Sequence, residues 1–523
     1  MKKTAILLVL CMLSVMLLSS AVSADEAQAA NPEVSGMSEL SEVQEDSYGT
    51  ADAEVQDDLV TTRHTAVIRG EEIAYTVTTG TMVLTTGGVQ GEFFFRAYTR
   101  DGVDDVSSRP VTFAFNGGPG SCSYYLEMGC LGPRRAEMTE NGHTLSLPPA
   151  IVDNENSLLD ITDLVFIDAI GTGFSRPVDE STLSEFIGYD NDVRSFGDFI
   201  RQYVNQYGRW GSKKYIAGES YGTTRAVGIC QYLSHTYSID VNGLMLISTL
   251  NDFSTAVPTV SNETSYGLYL PTFAADAWYH NMLDDTYQTM ELEDYLEEVK
   301  EFVSTEYIPF LFLGNRITKE EKMNMAEKLS SYLGLSVDFI LEKNLRITLE
   351  DFCARLLYDQ NLIIGRLDGR YTGPVTSGSI GDGDNDPSSI ESGLMFGNAF
   401  YKYLTTELGY QTDLPYIPSN GEVNMSWTSP TPAAGWIGGY FSQEDIIYEC
   451  MSKNPYLKVW VLCGYYDAAT PFYAAEWTYS HVFLHEESLD NLAITCYPSG
   501  HMFYLEKNSY DQFRQDAEKW YLE

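Results

Sequence analysis

Basic residues are scarce in this chain. Its 32 Lys and Arg face 74 Asp and Glu, for a formal net charge of −42. Between Lys3 and Arg63 there is no Lys or Arg at all. Nucleic acid is excluded as a partner, because phosphate would be repelled and no basic patch interrupts the acidity. None of the 8 cysteines forms a C-x-x-C pair, and we expect no metal and no cofactor. Setting Cys11 aside with the N-terminal segment leaves an odd number. Cys122 and Cys130 could bridge, whereas Cys463 and Cys496 fall in strand-like runs where a thiol packs as a small hydrophobe. Beyond the N-terminal segment no apolar run is long enough to cross a bilayer.

That N-terminal segment has a recognisable grammar. Met1-Lys2-Lys3 is followed by an apolar run from Ala5 to Leu18 and by Ala21-Val22-Ser23-Ala24. A basic start, a short apolar stretch and small residues at the end read as a signal peptide over 1–24, hence a secreted or extracytoplasmic protein. An uncleaved anchor is the rival reading. Residues 25–62 are rich in Glu, Asp, Ser and Ala and cannot bury enough apolar surface to offset ordering entropy. They read as a disordered acidic leader or linker, with a propeptide as the alternative.

Order is expected from about Arg63. Thr65–Ile68, Ile73–Val77 and Gly91–Tyr98 look like strands of an antiparallel meander. The pattern then changes to buried-strand runs at Val111–Phe115, Leu164–Asp168, Tyr215–Ala217 and Leu244–Ile247, with a helical period over Asp192–Tyr207 between two of them. Alternation of this kind implies a mostly parallel sheet covered on both faces, an α/β class. The strand signal stops after Ser248 and resumes at Lys458–Cys463 and Leu492–Tyr497. The stretch between is too long for a crossover and is helical in pattern, with capping boxes at Thr318/Glu321 and Thr348/Asp351. We expect a core over 63–253, an inserted helical cap with the substrate pocket over 254–450, and the rest of the core over 451–523. The acidic run Asp382–Asp386 invites a calcium reading, but Pro387 and Gly393 stand where an EF-hand loop needs Gly and Glu, and an exposed turn is preferred.

The chemistry centres on Gly218-Glu219-Ser220-Tyr221-Gly222. A strand-like run precedes it and a helical opening follows it, the setting of a nucleophile elbow that lifts a serine hydroxyl out of a sheet edge. Such a serine needs a histidine base, and the base needs a carboxylate to fix its tautomer. The order Ser, acid, His admits His235, His280, His481, His485 and His501, and His501, on the loop after the last strand at the carboxyl end of the sheet, is the choice of base. Asp467, on the loop after the preceding strand, is the acid, with Asp490 a distant second. His481 and His485 precede the last strand and should lie at its wrong end. The oxyanion would meet the Tyr221 amide and an amide of the glycine loop Asn116-Gly117-Gly118-Pro119-Gly120.

Together Asn116–Gly120, Gly218–Gly222, Asp467, Gly500-His501-Met502 and Asp168…Gly171-Thr172-Gly173-Phe174-Ser175 resemble the serine carboxypeptidase family (peptidase family S10) of the α/β-hydrolase superfamily. Leu270–Ala275 and Gly365–Tyr371 resemble its bacterial branch. The resemblance implies a catalytic triad of Ser220, Asp467 and His501, with Gly118 and Tyr221 as oxyanion-hole donors. It implies that Asn116 and Glu219 bind the substrate's terminal carboxylate, and that peptides with a free C-terminus are the partners. Two departures stand out. The cysteine of the glycine loop is displaced to Cys122, and Cys130 stands where family members carry a Glu of the carboxylate network, with Glu127 nearby. The competing functions are an esterase or acyltransferase on the same scaffold, and a non-catalytic surface binding protein.

Overall fold

The computed structural model describes residues 56–259, 261–375, 385–429 and 441–522. The expected signal segment, most of the acidic leader and Asp382–Asp384 lie outside the described residues.

Fourteen strands fall within that range, a number set by the alternation of buried runs with turns. They are β1 (Asp58–Ile68), β2 (Glu71–Thr86), β3 (Val89–Arg100), β4 (Val111–Phe115), β5 (Arg134–Ala136), β6 (Ile151–Asp153) and β7 (Asp163–Ile167). After them come β8 (Arg176–Pro177), β9 (Lys214–Glu219), β10 (Gly243–Ile247), β11 (Leu362–Ile364), β12 (Thr372–Pro374), β13 (Lys458–Gly464) and β14 (Leu492–Tyr497). The main sheet runs β1-β2-β3-β7-β4-β9-β10-β13-β14. Its first three strands form the antiparallel meander, and from β7 onward every pairing along that path is parallel.

The parallel strands read as unbroken apolar runs because both their faces are covered. In β4, Phe113 and Phe115 enter one core and Ala114 the other. In β13, Val459, Val461 and Cys463 divide from Trp460 and Leu462 in the same way. Helices Tyr189–Gln206 and Tyr221–Tyr237 cover the first face. The C-terminal helix Lys507–Leu522 covers the second through Tyr510, Phe513, Ala517 and Tyr521. Between β10 and β13 the described chain is mostly helical, interrupted by the β11–β12 hairpin, and both capping boxes form. This is an α/β-hydrolase fold with helical insertions.

Two expectations need correction. Ordered chain begins before Arg63: β1 starts at Asp58, and Val60 and Thr62 pair with Thr79 and Val77 of β2. Polar composition concealed this, because an edge strand needs only one partner and few apolar residues. Cys122 and Cys130 do not bridge, and every described cysteine is a free thiol. Asp386, at the end of the acidic run, accepts from the Ser388 amide and caps the helix Pro387–Thr406.

The turn that follows β9 shows how local sequence enforces geometry. Ser220 sits at φ 62°, ψ −130°, a strained conformation for a residue with a side chain. The glycines around it act through their size. A Cβ on Gly218 would lie 2.1 Å from the Gly222 carbonyl oxygen, and one on Gly222 would lie 2.9 Å from that of Phe115. We therefore expect Gly218→Ala to lower stability by about 2–3 kcal/mol through overpacking. Gly393→Ala, in open space on a helix, should raise it by about 0.5–1 kcal/mol. Chemical denaturation midpoints of the two variants check both signs.

Candidate active site

Ser220 ends β9 and opens the helix Tyr221–Tyr237. Its amide donates to the Ile247 carbonyl of β10 at 2.8 Å, which ties the elbow to the sheet. The side chain is half-buried and lines a cavity of about 180 Å³ with Asn116, Gly117, Gly118, Tyr125, Glu219, His501 and Met502. A larger groove, about 390 Å³, lies behind Tyr504 and includes none of these residues.

His501 reaches this cavity from the loop after β14. Its amide donates to the Leu367 carbonyl at 2.7 Å, and its own carbonyl accepts from Ser248 Oγ at 2.5 Å. Nδ1 meets Asp467 Oδ2 at 2.8 Å. Asp467 is fully buried on the loop after β13. Its Oδ1 accepts from the amides of Ala469 and Thr470, and its Oδ2 from Thr470 Oγ1. Those bonds hold the carboxylate still while leaving one lobe for the imidazole. Burial opposes an imidazolium at His501, but the charge of Asp467, its hydrogen bond and Glu219 outweigh that cost, and the His501 pKa is raised above its ordinary value. Ser220 and His501 share the cavity without a direct hydrogen bond between them; such bonds commonly tighten when substrate arrives.

The glycine loop lies directly against the elbow. A Cβ on Gly117 would stand 2.4 Å from the Gly222 nitrogen and 2.6 Å from the Tyr221 nitrogen, so only glycine fits. Gly118 has φ 103°, a conformation that favours glycine. Neither the Gly118 nor the Tyr221 amide has an acceptor among the described residues. Segments distant in sequence brace the loop. Ser123 Oγ donates to the Ile167 carbonyl and the Ser123 amide to Asp168 Oδ1, while the Cys122 amide donates to the Pro418 carbonyl.

Asn116 and Glu219 form a buried pair. Asn116 Nδ2 donates to Glu219 Oε1 at 2.8 Å, and Asn116 Oδ1 accepts from the Leu126 amide, which fixes the orientation of the side-chain amide. Tyr504 OH donates to Glu219 Oε2 at 2.9 Å. Burial pushes the Glu219 carboxyl up to about 7, against the opposing pull of His501 and the two hydrogen bonds.

The sequence reading missed three contributors. Arg225 donates from Nε to Asp192 at 2.7 Å and from Nη1 to the Asn116 carbonyl at 2.7 Å, joining the elbow helix to the glycine loop. Tyr504, three residues past His501, is the second hydroxyl or amide partner of Glu219. Arg96 is fully buried between Glu127 and Asp168. Glu127 therefore belongs to that ion cluster, with Tyr98, rather than to Glu219. One signal was available: Arg225 stands four residues after Tyr221, on the same helix face. Asp490 is the C-cap of the short helix Glu486–Leu489, just before β14. His481 stacks on Trp477, and His485 bonds Tyr448.

The family model for serine carboxypeptidase matches residues 79–344. The chain belongs to the serine carboxypeptidase family. Among solved structures, Kex1(delta)p, a prohormone-processing carboxypeptidase from Saccharomyces cerevisiae, aligns with TM-score 0.54 and 16% identity, over 85% of this chain and 91% of that one. At that identity it shows the fold alone. A proline iminopeptidase from Mycobacterium smegmatis aligns with TM-score 0.32 and 12% identity, over 84% of this chain and 97% of that one. No curated protein matches the sequence. Among the described residues, no group of three His, Cys, Asp or Glu is disposed to hold a metal, and no helix is long and apolar enough to cross a membrane.

The Tyr504 hydroxyl favours the charged form of Glu219, so removing it has a defined sign. In Tyr504→Phe the Glu219 carboxyl should titrate above about 7. Infrared difference titration of the carboxyl stretch reads this without reference to activity, and a shift to lower pH would contradict it.

Proposed function

We propose that the protein is a secreted serine-type carboxypeptidase that removes C-terminal residues from peptides through an acyl-enzyme on Ser220. The observation that carries the reading is the carboxyl of Glu219, buried against Asn116 beside Ser220 and pushed up to about 7. A carboxyl that can stay protonated near neutrality donates a hydrogen bond to a carboxylate instead of repelling it. An esterase has no need to grip such a group. Secretion rests on the signal-like segment over 1–24.

The chemistry follows in balanced steps. Ser220 Oγ attacks the carbonyl carbon of the last peptide bond as its proton passes to His501 Nε2. Asp467, bonded to Nδ1, stabilises the imidazolium. The Gly118 and Tyr221 amides donate to the oxyanion, each worth roughly 3 kcal/mol to the transition state. His501 then returns its proton to the departing amine. The C-terminal amino acid leaves; water, deprotonated by the same imidazole, attacks the acyl carbon, and the imidazolium returns that proton to Ser220 Oγ as the bond to the rest of the peptide breaks. Asn116 and protonated Glu219 hold the terminal carboxylate until the C-terminal amino acid departs.

Two groups set the pH dependence: protonation of His501, whose pKa is raised, removes the base on the acid side, and ionisation of Glu219 sets the alkaline side. Below about 7 Glu219 is neutral and binds the carboxylate; above that it ionises and repels it. We expect kcat/KM for peptides to fall as pH rises through neutrality, because kcat/KM reports the free enzyme. Glu219→Gln should remove that alkaline fall, and ester substrates without a carboxylate should not show it. A flat peptide profile between pH 4 and 8 would contradict the role of Glu219.

The activity itself is tested by blocked dipeptides, their C-terminal amides and simple esters, with mass spectrometry of a peptide library to show which end is attacked. The reading expects hydrolysis of the free acids, poor hydrolysis of the amides, and a loss of roughly 10⁴-fold or more in Ser220→Ala. Hydrolysis of esters alone would move the protein to an esterase or acyltransferase.

A further inference from the structure

The cavity that holds Ser220 and Glu219 has a cation on its wall. Arg366 lines it beside Leu367, Ser389, Ser392 and His501. The side chain is exposed. Among the described residues its guanidinium has no ion pair, hydrogen bond or ring contact; only its backbone is engaged, the amide donating to Asp386 Oδ1 at 3.0 Å and the carbonyl accepting from the Ala468 amide at 3.1 Å. Asp386 is committed elsewhere: Oδ1 also accepts from Ser388, and Oδ2 from Ser389 Oγ, at the start of the helix Pro387–Thr406. The arginines around the site differ. Arg96, Arg225 and Arg370 are each matched to a carboxylate. In a chain of net charge −42, Arg366 is a cation on the reaction cavity that pairs with no carboxylate among the described residues.

Its position says which part of a substrate it meets. The Leu367 carbonyl accepts the His501 amide at 2.7 Å, so the residue next to Arg366 is bonded to the one that carries the imidazole. The charge of Arg366 is felt at that ring. In the proposed mechanism His501 protonates the departing amine, so the departing residue lies on this side of Ser220. Asn116 and Glu219 take its α-carboxylate. Its side chain is left with the remainder of a cavity of about 180 Å³, whose wall there is Arg366, Ser389 and Ser392. A planar guanidinium with free donors matches a carboxylate with two hydrogen bonds.

We propose that Arg366 selects the departing residue, favouring a C-terminal Glu or Asp by pairing with its side-chain carboxylate. This rests on the carboxypeptidase reading and adds a substrate class to it. The overall negative charge of the protein opposes acidic peptides at long range, so the preference has to arise at this contact.

Blocked dipeptides that differ only in a final Glu, Gln or Lys test it, against the protein and Arg366→Gln, Arg366→Lys and Arg366→Glu. Circular dichroism verifies that each variant is folded. The Glu-to-Gln ratio of kcat/KM should be about tenfold or more in the protein. It should approach one in Arg366→Gln and persist in part in Arg366→Lys, and Arg366→Glu should favour Lys over Glu. Equal losses on all substrates in Arg366→Gln, with the ratio kept, would assign Arg366 to the α-carboxylate and overturn the proposal. A preference that follows an acidic penultimate residue instead would also overturn it. A ratio near one in the unaltered protein overturns this inference alone. A protein that cleaves no dipeptide but hydrolyses esters overturns the carboxypeptidase reading and this inference with it.

Discussion

A buried guanidinium holds the two halves of the site together. Arg225 leaves the elbow helix, pairs with Asp192 on the crossover helix and donates to the carbonyl of Asn116 on the glycine loop. Phe196 lies under it with the ring centre 4.3 Å away, and Phe115 flanks it. Removing one partner of a buried pair costs about 3–5 kcal/mol, because the other charge is left without compensation. The contact of Gly117 against the Tyr221 and Gly222 nitrogens depends on the glycine loop being drawn in this far. Arg225 thus links the amide of Tyr221 to that of Gly118, and Ser220 to the Asn116–Glu219 pair.

The same site sets charge against burial. The surface is strongly acidic, yet Glu219 inside it is held near neutrality by loss of solvent. Asp467, a few residues away through His501, has the opposite provision: four hydrogen bonds from the amides of Ala469 and Thr470, the Thr470 hydroxyl and the imidazole. Two buried carboxyl groups therefore present different chemistry because one is given donors to spare and the other only Asn116 and Tyr504. This division of labour underlies the proposed peptidase function. One carboxylate supports a cation, and the other group can serve as a neutral donor.

Much of the fold was legible because strand period and order are local signals. The meander, the buried parallel runs, the elbow and the capping boxes at Thr318 and Thr348 follow from residues within a few positions of each other. The start of β1 was hidden, since pairing with β2 compensates for a polar edge sequence. At the site, chain order singled out Ser220, Asp467 and His501. In the structure His501 bonds Asp467 and shares a cavity with Ser220. Tyr504 and Arg96 were not legible, because each acts through a partner far away in sequence, and for Arg225 only its place on the elbow helix was, not its partners Asp192 and Asn116. Glu127 shows the converse: proximity in sequence to the expected carboxylate network did not bring it there, since Arg96 and Tyr98 claim both its oxygens.

The central claim is that the Ser220 hydroxyl is activated by His501 under the control of Asp467. Peptide mapping after treatment with a fluorophosphonate tests it most directly. The account predicts one adduct, on Ser220, with labelling slowed greatly in His501→Ala and Asp467→Asn variants that remain folded. An unlabelled Ser220, or labelling at the same rate without His501, would contradict it.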